Sequence, residues 1–379
     1  MTVQDREPHA LSPAAAATGA LDLKRLDAST QKAVREILHQ GESANTRAAY
    51  RAAARYWLAW FELRYDVDFV EAEHFPLPAE VVIQFIVDHA PRLSETDTVL
   101  QHELPHQVDL QLVSSGVKAK LGPMALNTLE ARLAAMARLH RDRGLEPPTE
   151  ETKVRRLMRA VRVVYAKSPA GAPKKKDALH WDRLARLLAT CDDTPRGVRD
   201  RALLLFAFDS GGRRRSEIVS ADRSQLKRDA GDYIFTMRHS KTNQTGVEKA
   251  TDAKPIVGNA AEALRAWLRL LDAAGFHTGP LFRRIRRGGT IAPEGLAITG
   301  VWDIVKARCA LSGLDDEGDF SPHSLRSGFM TQAARDGVPL NEAMAYSGHS
   351  NAQTAMDYQR ADDMKKSKAA GLASRKRQA

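Results

Sequence analysis

Cysteine is nearly absent: Cys191 and Cys309 are the only two in 379 residues. They lie far apart in sequence, and no Cys-x-x-Cys or His/Cys cluster has the spacing of zinc ligands, so neither a disulfide framework nor a structural zinc is expected. No apolar run approaches the roughly 20 residues that a bilayer span requires, and the N-terminal stretch lacks the basic-then-apolar order of a secretory signal. A soluble, cytoplasmic chain without a membrane partner is therefore expected. No internal repeat of about 20 to 50 residues is evident.

What is present in excess is positive charge. Lys and Arg number 57 against 47 Asp and Glu, a net charge of +10, and the large partner expected of such a chain is a polyanion, nucleic acid before an acidic membrane surface. The length suits two domains of ordinary size, each with its own core. Residues 1–28, with Pro8, Pro13 and the alanine run Ala14–Ala17, show no apolar period and read as a mobile leader. Residues 29–167 read as helical. Tyr50, Ala54, Trp57, Trp60 and Phe61 recur at three-to-four spacing, followed by stripes at Val82–His89, Leu126–Leu139 and Val154–Val164, enough for four or five helices. Arginines, among them Arg132, Arg155 and Arg159, recur on the opposite faces, where they are candidates for phosphate contact as well as for an ordinary solvated surface. Residues 94–122 are rich in polar positions and read as an insertion, a loop or hairpin contacting DNA or a neighbouring subunit.

Residues 168–177 combine proline, glycine and the block Lys174, Lys175, Lys176, the composition of an extended linker. Those lysines either keep the linker soluble or run beside phosphates. A second domain is placed at 178–358. Its helices at Trp181–Thr190 and Val198–Phe208, the latter almost wholly apolar, precede a change of period. Tyr233–His239 and Lys254–Val257 are β-prone around a polar turn, a small antiparallel sheet within a helical domain. Helical periodicity then resumes, and residues 359–379 form a basic tail. The fold class expected is mainly α, with a helical DNA-binding domain followed by a mixed α+β domain.

The chemistry lies in the second half. Gly212-Arg-Arg-Arg-Ser-Glu217 follows directly on the apolar helix, where buried arginine requires an anion. Ser321 at an N-cap and Pro322 at the first helical position put His323 and Arg326 on one face, three residues apart, at a helix N-terminus suited to an anion. Gly348-His349 ends a short helix, and Tyr358 follows nine positions on.

Each element alone is a weak classifier. In this order and spacing, Gly-x-Arg-x-Ser-Glu, a sheet-borne Lys241, His-x-x-Arg, and Gly-His followed by Tyr resemble the tyrosine recombinase, or phage integrase, family. The resemblance covers the whole C-terminal half, and the helical region before the linker resembles that family's core-binding domain more loosely. It implies Tyr358 as the nucleophile that forms a 3′-phosphotyrosine, Arg214 and Arg326 as the phosphate clamp, and Lys241 as the acid for the leaving 5′-oxygen. It further implies that His323 assists proton transfer, that His349 hydrogen-bonds the phosphate, and that Glu217 supports the arginines. Arg213 and Arg215 are alternatives one position from Arg214, and Lys249 and Lys254 are rivals of Lys241. The sequence shows no Walker-type loop and no acidic cluster for magnesium, as expected of a reaction needing no cofactor or metal. The partner implied is double-stranded DNA with specific recombination sites, bound by a homo-oligomer, a tetramer on two paired sites. The basic tail then either docks on a neighbouring protomer or is a frayed end. Relaxation of supercoils by a type IB topoisomerase, and DNA binding by an inactive relative, are the competing functions.

Overall fold

A computed structural model of the chain describes residues 27–93, 100–168, 176–237, 252–353 and 355–356. It divides into two compact units, Met1–Pro173 and Lys174–Ala379.

The first unit is helical: α1 (Ala28–Gly41), α2 (Ala44–Tyr65), the single turn α3 (Glu71–His74), α4 (Ala79–His89), α5 (His106–Ser114), α6 (Leu126–Arg141) and α7 (Thr152–Lys167). Ser43 starts α2 by accepting the Thr46 N–H, and Asp66, in the left-handed region, ends it. Of the stripe read from the sequence, Trp57, Trp60 and Phe61 are buried, whereas Tyr50 is half-buried and Ala54 exposed. With Tyr56, which that reading lacked, the three buried rings pack with Val82, Phe85 and Ile86 of α4 and Leu129, Leu133 and Met136 of α6. Trp57 stacks on Phe85 with ring centroids 3.7 Å apart. Each such side chain taken from water contributes about 1.5–3 kcal/mol.

Even the upper expectation of five helices falls two short of the seven among the described residues. One of the added pieces is a single turn, and the other, α5, lies in the stretch read as a polar insertion. There, β1 (Arg92–Leu93) and β2 (Leu100–Gln101) pair antiparallel, and α5 buries only Leu112 and Asp109. Asp109 takes the Lys118 ammonium and, at 2.8 Å, the Gly122 N–H. A helix fixed by one ion pair carries too little apolar period to be read from sequence.

The second unit opens with α8 (Trp181–Ala189), α9 (Pro195–Asp209) and α10 (Arg215–Val219). Thr194 caps α9 and Pro195 occupies its first turn, while Ala202–Phe208 are buried all round, so that α9 is the spine of the larger core. The sheet follows in the order β3 (Leu226–Asp229), β4 (Asp232–Thr236), β5 (Ala253–Ile256), all antiparallel, with Phe235 opposite Lys254. β4 ends at Thr236, and Arg238 and His239 of the longer strand expected from the sequence lie outside the described residues. After α11 (Gly258–Ala273), β6 (Arg283–Ile285) and β7 (Ile291–Gly295) make a separate hairpin that the sequence reading lacked. The last elements are α12 (Ile298–Leu311), α13 (Pro322–Arg335) and α14 (Leu340–Ser347).

Residues 177–181 run beside α13. The Asp177 N–H donates to Asp319 O and the Leu179 N–H to Ser324 O, while Trp181 N–H reaches Gln332 Oε1. Gly328 permits this contact, because a Cβ there would collide with the Leu179 carbonyl. In α9 and α12, Asp200 is buried between Arg199 (Nη2 at 2.6 Å) and Arg308 (Nη2 at 2.7 Å).

Candidate active site

Four of the residues singled out in the sequence converge in the second unit. The turn after α9 supplies Arg214, the first turn of α13 supplies His323 and Arg326, and the end of α14 supplies His349. What brings them together is backbone contact at Gly212, which sits at φ +69° and whose Cβ, if present, would lie 2.5 Å from Arg326 Cα. Arg326 is buried, and its Nη1 donates to Gly212 O at 2.9 Å and to Ser347 O at 2.7 Å. One guanidinium thus binds the arginine turn and the end of α14.

The three consecutive arginines separate by burial. Arg213 is only 1% exposed. Its Nη2 donates to the carbonyls of Tyr346 and Ser347, each at 3.2 Å, its Nη1 contacts Met237 Sδ at 3.5 Å, and Glu217 lies 3.8 Å away. Arg214 has a side chain 29% exposed, with Nη1 2.7 Å from Glu217 Oε1, and Glu217 Oε2 also accepts the Arg214 N–H at 3.0 Å. Arg215 is exposed. Among the three, Arg214 combines access with a bracing carboxylate.

Ser347 Oγ lies 2.6 Å from His349 Nδ1. Burial, followed by the charges of Arg326, Arg214, His323 and Arg213, pushes the His349 imidazole down to about 4. His323 is also held below its ordinary value, by partial burial and then by Arg326 and Arg214. Both imidazoles are therefore neutral near pH 7. This mutual influence brings side chains from three distant stretches into one electrostatic neighbourhood. It is a cationic pocket with neutral imidazoles at its edge, suited to an anion whose charge grows during reaction.

A family model described as the phage integrase family matches residues 178–365. The chain is 33% identical over 239 residues to an integrase/recombinase XerD homologue of Selenomonas ruminantium, an alignment covering 61% of this chain and 67% of that protein. The chain belongs to the phage integrase family of tyrosine recombinases. It is also 27% identical over 252 residues to the recombinase Cre of Escherichia phage P1, covering 62% of this chain and 71% of that one. Among solved structures, the Tn1549 transposon integrase, in complex with transposon right-end DNA, is similar in fold: TM-score 0.51 and 14% identity, covering 89% of this chain and 98% of that chain. The mainly helical recombinase fold with small antiparallel sheets agrees with the class expected from the sequence.

Not every residue singled out is in view. Tyr358, Lys241, Lys174 and Lys175, with the rival Lys249, lie outside the described residues, as does the whole of the basic tail, residues 359–379. Lys176 is exposed and paired with Asp319. Arg155 and Arg159 are exposed on α7, whereas Arg132 is turned inward, its guanidinium 3.2 Å from the Tyr56 ring centroid. That inward packing departs from the solvated face expected of Arg132. A stripe count locates the helix face but does not report an aromatic ring from the next helix. Ser347 and the interior role of Arg213 were not legible in the recombinase sequence. The one available cue was Gly211-Gly212, both at positive φ in the structure, which marks a close backbone approach.

Proposed function

We propose that this recombinase cleaves and rejoins double-stranded DNA at specific sites with Tyr358 as its nucleophile. The observation that carries the reading is the joining of Arg214, His323, Arg326 and His349 through Gly212 and Ser347. A phosphodiester is anionic and repels nucleophiles, and two guanidinium forks match its non-bridging oxygens as negative charge accumulates there. Neutral His323 accepts the phenolic proton as the Tyr358 oxygen bonds to phosphorus. The bond from phosphorus to the 5′-oxygen breaks, Lys241 protonates that oxygen, and a 3′-phosphotyrosine remains. In the tautomer whose Nδ1 accepts from Ser347 Oγ–H, the His349 proton resides on Nε2 and can be donated to a phosphate oxygen. Because the phosphotyrosine keeps the free energy of the original ester, the reverse steps reseal the strand without ATP. Arginine and lysine supply the positive charge that metal ions supply in two-metal nucleases.

In this reading residues 29–167 grip the core site, residues 168–177 connect them to the catalytic domain, and the exposed Arg155 and Arg159 contact phosphates. Exchange of four strands takes four copies on two paired sites. No helix among the described residues is long and apolar enough to cross a membrane, and the proposed setting is the cytoplasm. A nicked suicide substrate tests the chemistry: wild type forms a denaturant-resistant protein–DNA adduct, and Tyr358→Phe binds the DNA without forming one. An adduct that persists in Tyr358→Phe rejects Tyr358 as nucleophile.

A further inference from the structure

The end of α14 is held in an uncommon way. A helix ends with carbonyls that lack intrahelical partners. Here Met344 O accepts the N–H groups of Gly348 (2.8 Å) and His349 (3.0 Å). The next three carbonyls meet cationic side chains from three other elements. Lys254 of β5 reaches Ala345 O at 3.5 Å, Arg213 reaches Tyr346 O and Ser347 O, and Arg326 of α13 reaches Ser347 O. Tyr346 closes the joint: its hydroxyl donates to Pro255 O at 3.1 Å, its ring stacks on Phe329, and the Lys254 ammonium lies 4.8 Å from its centroid. Arg213 and Lys254 are both buried, and positive charge at a helix C-terminus is favourable.

Two of these cations belong to the chemistry only through what they hold. Arg213 faces inward, away from the exposed position of Arg214, and Lys254 lies in β5. Yet both grip the residues immediately before His349, from which the chain continues to Tyr358. We propose that Arg213 and Lys254 are positioning residues of the recombinase, acting through α14 to fix where His349 stands and from where the chain leaves toward Tyr358. The proposal rests on the reading of Tyr358 as nucleophile. It also makes the arginine turn, β5 and α13 one mechanical assembly with α14.

The test uses the full chain on a suicide DNA substrate at saturating protein, where the single-turnover rate of adduct formation is independent of affinity and the amplitude counts the active molecules. Arg213→Met and Lys254→Met keep much of the side-chain volume and are expected to slow the rate about tenfold or more while DNA affinity stays within about twofold, a loss of geometry rather than of binding. Lys254→Arg restores most of the rate. The pH profile separates positioning from a merely structural role. Burial, then the charge of Arg213, holds the Lys254 ammonium down to about 8, with Asp252 and Glu217 opposing and Arg326 adding to that depression. Wild type therefore loses rate as pH rises through about 8, whereas Lys254→Arg, charged throughout, does not. Lys241 and Tyr358 are unchanged between the two proteins, so the difference belongs to position 254. Methionine variants that react at the wild-type rate, or an Lys254→Arg profile that falls as wild type does, overturn the proposal. An error about Tyr358 shows itself separately, as an adduct surviving Tyr358→Phe.

Discussion

Replacing Gly212 by alanine perturbs the contact on which the site depends. The backbone there is left-handed at φ +69°, which costs a residue with a Cβ about 1–2 kcal/mol. The new methyl also meets Arg326 Cα at 2.5 Å, Cβ at 3.1 Å and Cγ at 3.2 Å. Carbon atoms settle at about 3.5–4.0 Å, so the turn and α13 must part by about 1 Å, with an overpacking cost of about 1–3 kcal/mol. The sum is a loss of about 2–5 kcal/mol in stability, and because Arg326 rides on the displaced backbone, a misplacement of this size slows cleavage about a hundredfold. Gly337→Ala is the control, because Gly337 has φ +75° and a methyl group added there would meet nothing within 4 Å; it costs about 1 kcal/mol and leaves the rate unchanged. Urea denaturation gives the stabilities, and single-turnover adduct formation on a suicide substrate gives the rates. A Gly212→Ala protein that cleaves at the wild-type rate refutes the claim that this contact sets the clamp.

Arg214→Lys and Arg326→Lys each replace a planar fork by a point charge, and each is expected to lower the cleavage rate about 10²–10³-fold in the same assay. Asp200→Asn leaves two buried guanidinium groups without their counter-charge and is expected to cost about 3–5 kcal/mol in urea denaturation. In the first unit, burial pushes His89 from its ordinary value near 6.5 down to about 3, with Nε2 2.7 Å from the Tyr56 hydroxyl. The unfolded chain takes up a proton below pH 6.5 that the folded chain refuses, so stability is full above that pH and falls by about 1.4 kcal/mol per unit as pH drops toward 3. His89→Gln should flatten this acid limb in denaturation measured at several pH values. Finally, Arg159→Ala should reduce the salt dependence of DNA binding by about one unit of log–log slope, whereas Arg132→Ala should leave that slope alone and lower the melting temperature, because its guanidinium packs on Tyr56.

The contrast between Arg159 and Arg132 shows what the sequence makes legible. Periodicity located α2, α6 and α7 and their buried faces, because burial of one helix face is written into residue spacing. Local chemistry placed the start of α13 at Ser321-Pro322 and the end of α14 at Gly348, because caps depend on a few adjacent residues. Non-local partners escaped. Nothing in the spacing of Arg283 and Arg284 in β6 tells the two apart, yet Arg283 is buried, donating to the carbonyls of Thr278 and Pro293, while Arg284 is exposed. Likewise three adjacent arginines look equivalent until the carbonyls of Tyr346 and Ser347, more than a hundred positions away in sequence, draw Arg213 inward. Motif order singled out Arg214 and Arg326, whereas the joint at which they meet α14 is made of backbone groups that every residue possesses.

The contact of residues 177–181 with α13 has a mechanical consequence. That stretch, near the start of the second unit, is fastened directly to the helix bearing His323 and Arg326, through Leu179 N–H to Ser324 O at 2.9 Å and the tight fit at Gly328. A pull on residue 177 is therefore delivered first to Asp319 and then, through Leu179, to the helix on which His323 and Arg326 stand.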